Sequence, residues 1–204
     1  MKRIGIFSGV FDPVHSGHIG FALAATEKAN LDKVYLLVES KPRRKTDVTH
    51  VAHRIAMAKL ATARHLKIAV LELPDRQFSV AKTLPRLRQR FSEEKLVLLV
   101  GSDMLEHMPD WPLVGNMLDQ VELVIARRRG TSVQAVQQLI HALPAIPKKF
   151  QIIQSPAPET SSERIRESIK LSKSATNVPP SIRSYIIDNW LYVSPSASSS
   201  RSSS

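Results

Sequence analysis

Leu96-Val97-Leu98-Leu99-Val100 is an unbroken apolar run. A strand without polar alternation is one covered on both faces, as in a parallel sheet flanked by helices. Val34-Tyr35-Leu36-Leu37-Val38 reads the same way, and Ile4 to Phe7, Ile68 to Leu73, Val121 to Ala126 and a short Gln151-Ile152-Ile153 are further strand candidates. Helical patterns lie between them: Ile19 to Ala29, then Val51, Ile55 and Ala58 on one face, then Val80, Leu84, Leu87 and Phe91 at helical spacing, then Thr131 to His141. Strands that alternate with helices predict an α/β fold, a doubly wound parallel sheet. After it, Ser161 to Leu171 and Pro180 to Trp190 read as two helices, a small helical C-terminal part beginning at about residue 160. Residues 1–193 are expected to form one domain, and the serine-rich residues 194–204 a disordered tail.

Composition narrows the class. The 204 residues include no cysteine, which excludes a disulfide scaffold, thiolate metal sites and a cysteine nucleophile. No apolar run reaches the length of a membrane span, and the stretch after Met1-Lys2-Arg3 is broken by Gly5, Ser8 and Asp12. A cytoplasmic protein without a membrane partner is the expectation. The net charge of +11 fits either a solvated basic surface or an anionic partner, whether nucleic acid, membrane or a polyphosphate. The basic clusters, Lys41 to Lys45, Arg86 to Arg90, Arg127 to Arg129 and Lys148-Lys149, lack the interleaved aromatics of a single-strand binder, which disfavours nucleic acid.

The chemistry concentrates in Gly9-Val10-Phe11-Asp12-Pro13-Val14-His15-Ser16-Gly17-His18. The segment joins the first strand to the first helix, where free N–H groups and the helix dipole favour anions. Four of the seven glycines fall within the first twenty residues. His15 and His18 could be a structural pair, a zinc pair or two donors facing a phosphate; the strand–turn–helix context and the glycines favour the phosphate.

This segment resembles the His-x-Gly-His signature of the nucleotidyltransferase superfamily, and its longer form is similar to bacterial nicotinate and nicotinamide mononucleotide adenylyltransferases. Later segments extend the resemblance: His53-Arg54-Ile55-Ala56-Met57-Ala58-Lys59-Leu60-Ala61, then Gly101-Ser102-Asp103 followed by Trp111, then Ser161-Ser162-Glu163-Arg164-Ile165-Arg166, then Val178-Pro179 and Tyr185-Ile186. The resemblance implies a Rossmann-like nucleotidyltransferase fold. It also implies transfer of AMP from ATP to nicotinate or nicotinamide mononucleotide, with release of pyrophosphate, in NAD biosynthesis. Phosphopantetheine is an alternative acceptor, and a nucleotide- or nucleic-acid-binding protein without turnover is an alternative class.

The resemblance also assigns residues. His15, His18 and Arg166 would be catalytic, holding triphosphate oxygens and the charge that develops at the α-phosphorus. Ser8, Gly9, Val10, Phe11, Gly17, Gly101, Asp103, Ser161 and Ser162 would contact ATP, with Asp103 either on a ribose hydroxyl or capping the next helix. Lys41, Arg43, Arg44, Lys45, Trp111 and Arg128 would serve the acceptor, with Trp111 stacked on its pyridine ring or else part of the core. The family's proline-proline-histidine-lysine element is absent from the Lys41 loop, where cations stand instead. Mg²⁺ would arrive with ATP, and no carboxylate cluster marks a metal cage. Thr160-Ser161-Ser162-Glu163 fits a capping box that would turn Glu163 away from the triphosphate. The oligomeric state, a homo-oligomer included, stays open.

Overall fold

The computed structural model describes residues 1–41, 47–128, 130–156, 160–172 and 178–193. Six strands form one parallel sheet: β1 (Arg3–Gly9), β2 (Lys33–Val38), β3 (Ile68–Leu71), β4 (Lys95–Gly101), β5 (Glu122–Arg127) and β6 (Phe150–Gln154). Their order across the sheet is β3-β2-β1-β4-β5-β6. The helices are α1 (Ser16–Lys28), α2 (Val51–Thr62), α3 (Thr83–Arg90), α4 (Ser102–Leu105), α5 (Val114–Leu118), α6 (Val133–His141), α7 (Ser162–Ser172) and α8 (Pro180–Asp188), with a 3₁₀ turn at Met108–Asp110.

Period-two alternation sends successive residues of each strand to opposite faces. On one face Val97, Leu99 and Val34 pack with Phe21 and Ala22 of α1, Met57 of α2, Ile165 of α7 and Ile182 of α8. On the other, Ile6, Leu96 and Leu98 pack with Leu87 of α3, Leu105 of α4, Met117 of α5 and Ile140 of α6. Both faces are therefore buried, which is why β4 carries no polar residue between Leu96 and Val100. Close packing sets limits at Gly5, where a Cβ would lie 2.9 Å from Leu31 and from Val34.

The sequence reading placed all six strands and missed the short elements between Ser102 and Leu118. Their four- and five-residue helices are too short to show a periodic stripe. α3 begins at Thr83 rather than Val80, because the Thr83 hydroxyl accepts the Ser79 N–H at 3.0 Å and closes a turn before the helix. α6 begins at Val133, capped by the Ser132 hydroxyl on the Ala135 N–H at 2.9 Å. α8 ends at Asp188, two residues earlier than expected, and Trp190 takes a left-handed φ of 52°. Residues 194–204 lie outside the described residues.

The strand order reverses between β1 and β4. Both chain directions leave the sheet there, so a crevice opens at the carboxyl ends of these two strands.

Candidate active site

The crevice consists of two adjoining hollows. One, about 400 Å³, is lined by the Ser8–Asp12 turn, His15, Gly17, His18, Asp103, Arg128 and Thr160–Glu163. The other, about 390 Å³, is more apolar and is lined by Glu39, Phe78, Leu98–Val100, His107, Asp110 and Trp111. Phe7, Ser8, Val10, Gly101 and Met104 belong to both. A Cβ built on Gly101 would meet nothing within 4 Å, so this strand end opens directly onto the crevice.

His15 is the N-cap of α1, a position usually held by Ser, Thr, Asp or Asn. Its Nδ1 accepts the Gly17 N–H at 3.1 Å, and His18 Nδ1 accepts the His15 N–H at 3.3 Å. The two histidines thus build the reciprocal capping box that Ser and Glu make elsewhere. A neutral imidazole that accepts at Nδ1 carries its proton on Nε2. Each ring therefore spends Nδ1 on the helix end and carries its proton on Nε2, and both residues line the hollow. The rings stack with centroids 3.7 Å apart, and Phe11 meets His18 edge-on at 5.0 Å. Burial, with Arg128 as the second cause, lowers His15 from 6.5 to about 4. His15 is therefore a neutral donor at physiological pH.

The turn is braced from below and from the side. Phe11 holds a left-handed φ of 50°, an uncommon conformation for a side-chain-bearing residue. Gly9 makes room for it: a Cβ there would lie 3.1 Å from the Phe11 ring. Arg54 of α2 is fully buried and donates to the carbonyls of Thr49, Val10 and Glu39, each at 2.7 Å, and to that of Ser40 at 3.2 Å. Burial lowers its guanidinium from the ordinary value, while Asp12, Tyr192 and Glu39 pull the other way. The Glu39 carboxylate accepts the Ser8 hydroxyl at 3.0 Å and the Phe78 N–H at 3.1 Å, fixing one wall of the apolar hollow.

The expected site residues separate in space. Ser8, Gly9, Val10, Phe11, His15, Gly17, His18, Gly101, Asp103, Ser161 and Ser162 come together around the histidine hollow. Trp111 lines the apolar hollow, its ring 5.8 Å from Phe78. Arg128, expected on the acceptor side, lines the histidine hollow and pairs with Asp103 at 2.6 Å. Asp103 lies within the first turn of α4, where the cap position belongs to Gly101, so it is not a helix cap. Arg166 donates to the Asp12 carbonyl at 2.7 Å, bracing the turn, and lines neither hollow. Lys41 is exposed and also lines neither hollow. Arg43, Arg44 and Lys45 lie outside the described residues.

The capping box expected at Thr160 and Glu163 does not form. Ser161 is the cap: its hydroxyl accepts the Arg164 N–H at 3.2 Å and its carbonyl accepts the Ile165 N–H at 3.1 Å. That shift of one residue moves Glu163 out of the reciprocal position, and its exposed side chain lines the histidine hollow. The Ser162 hydroxyl donates to the Pro13 carbonyl at 2.9 Å and ties α7 to the histidine turn. Sequence reasoning also missed Arg54, Glu39, His107 and Asp110. Arg54 stood within a quoted motif, but nothing in a linear pattern says that an arginine is fully buried.

Among the described residues no group of three or more His, Asp or Glu side chains is arranged to hold a metal ion. None of their helices is long and apolar enough to cross a membrane.

A cytidylyltransferase-like family model matches residues 6–168. The nicotinate-nucleotide adenylyltransferase of Bacillus subtilis is 32% identical over 204 residues, covering 95% of this chain and all of that protein. A probable nicotinate-nucleotide adenylyltransferase of Neisseria meningitidis is 30% identical, covering 94% of this chain and 99% of that protein. Among solved structures, the Plasmodium falciparum nicotinic acid mononucleotide adenylyltransferase complexed with NaAD superposes with a TM-score of 0.78 at 17% identity, covering 94% of this chain and 98% of that one.

Proposed function

The chain belongs to the cytidylyltransferase-like family of nucleotidyltransferases, and from that premise we propose that it transfers the adenylyl group of ATP to nicotinate mononucleotide in NAD biosynthesis. The observation that carries the reading is the reciprocal histidine cap. It fixes two neutral imidazoles, each protonated at Nε2, among the residues lining one hollow, beside a second, apolar one with Trp111 on its wall.

In this reading ATP occupies the histidine hollow and the acceptor's pyridine ring lies against Trp111. A phosphate oxygen of the acceptor attacks the α-phosphorus of ATP. The bond from that phosphorus to the oxygen bridging the β-phosphorus breaks, and pyrophosphate leaves with the electron pair. A phosphate monoester is already deprotonated, so the step needs no general base. It needs alignment and stabilisation of charge on the α-phosphoryl oxygens, which His15 and His18 supply as N–H donors. The β and γ phosphates lie toward the first turn of α7, whose N–H groups favour anions, and toward Arg128. Mg²⁺ is part of the proposal as the companion of ATP: phosphate oxygens and water hold such an ion, and no residue of the chain is assigned to it. A cytoplasmic setting is proposed with the same chemistry.

The test supplies ATP, Mg²⁺ and, separately, nicotinate mononucleotide, nicotinamide mononucleotide and phosphopantetheine. Pyrophosphate and a dinucleotide should form fastest with nicotinate mononucleotide. Preference for phosphopantetheine would overturn the acceptor assignment, and a salt-sensitive DNA complex with no turnover would overturn the enzymatic reading.

A further inference from the structure

The histidine turn is held from the far end of the chain. The Asp12 side chain is buried and both its oxygens are engaged. The Tyr192 hydroxyl donates to Oδ1 at 2.6 Å and the Thr49 N–H to Oδ2 at 3.0 Å. Tyr192 lies 180 residues away in sequence. The exit from α8 delivers it: Trp190 and Tyr192 adopt left-handed φ values of 52° and 64°, and Leu191 between them is buried. Such backbone is unfavourable for side-chain-bearing residues and persists where its surroundings impose it. Burial, with the Asp12 charge second, raises the Tyr192 phenol far above its ordinary value, so it stays a donor.

The same turn is gripped from α7, where Arg166 takes the Asp12 carbonyl and Ser162 takes that of Pro13. Asp12 precedes His15 by three residues, and the His15 N–H in turn orients His18. Asp12 and the two imidazoles thus belong to one hydrogen-bonded turn.

We propose that Tyr192 is a positioning residue for adenylyl transfer, its hydroxyl on Asp12 holding the turn so that His15 and His18 present their donors in register. Tyr192 lines neither hollow, so it acts through Asp12 and touches no substrate. The inference rests on the proposed transferase activity.

Tyr192→Phe keeps the ring and removes the donor. The folded variant should lose about tenfold in kcat, the scale of a hydrogen bond to a charged group, while KM for ATP and acceptor stays within about twofold. Folded Asp12→Ala, which removes the acceptor, should lose at least a comparable factor, and adding Tyr192→Phe to it should cost little more. A second readout is independent of turnover: the imidazole ¹⁵N signals of His15 and His18 should shift or broaden in Tyr192→Phe. Wild-type kcat in folded Tyr192→Phe, fully multiplicative losses in the double variant, or unchanged imidazole signals would each overturn the inference. If the wild-type protein forms no dinucleotide, the functional reading falls instead, and the imidazole signals alone decide the role of Tyr192.

Discussion

His15 does two jobs with two nitrogens. Nδ1 caps α1, which leaves the proton on Nε2 of a ring that lines the crevice. Burial of the neutral ring has a consequence for stability. The unfolded chain takes up a proton near 6.5, whereas the folded one resists until about 4. Protons are thus bound preferentially by the unfolded state, and stability falls as pH drops from 6.5 toward 4, by about 3 kcal/mol for this group alone. Asn is a good N-cap and does not titrate. His15→Asn should therefore keep its stability at pH 7 within about 1 kcal/mol and lose less of it on acidification, as urea titrations across this range will show. Glu163 is the second residue whose surroundings decide its effect. Because Ser161 takes the cap, the Glu163 carboxylate borders the hollow assigned to the triphosphate. Its charge is exposed and screened, so the repulsion is modest. Glu163→Thr should lower the KM for ATP about two- to fivefold while reducing helix stability by about 0.3–1 kcal/mol, through the lost interaction with the helix dipole. Steady-state kinetics and thermal melts measure both.

At the scale of elements, α2 anchors the crevice through Arg54. Its guanidinium ties the ends of β1 and β2 to the loop before α2, with four backbone carbonyls as partners. Arg54→Met fills much of the volume and leaves those carbonyls without their donor. A buried acceptor left without its donor costs about 1–3 kcal/mol, so urea denaturation should show a loss of at least that order. The strands and long helices were legible in the sequence because apolar runs and helical stripes are local and periodic. The histidine turn was legible because its glycines and histidines stand together between a strand and a helix. The rest was not, for physical reasons. Arg54, Asp12 and Tyr192 converge from three parts of the chain, and no local pattern marks a contact across 180 residues. The displaced cap of α7 turns on a choice among Thr160, Ser161 and Ser162, three neighbouring hydroxyls with similar capping strength.

On the scale of the whole molecule, the sheet divides two apolar cores and its strand order reverses between β1 and β4. The two hollows meet there over Ser8, Val10 and Gly101, so two substrates held side by side would bring their phosphates together above β1 and β4. We propose that the two histidines on this edge, rather than the crevice alone, drive the transfer. The most direct measurement is kcat for dinucleotide formation in His15→Ala and His18→Ala, with thermal melts on the same samples. Loss of one preorganised donor to the transition state costs about 10²–10³ in rate. A loss of that size is expected in folded His18→Ala, and the same rate loss, with some destabilisation, in His15→Ala, which also loses its cap. A folded His18→Ala that turns over at the wild-type rate would contradict it.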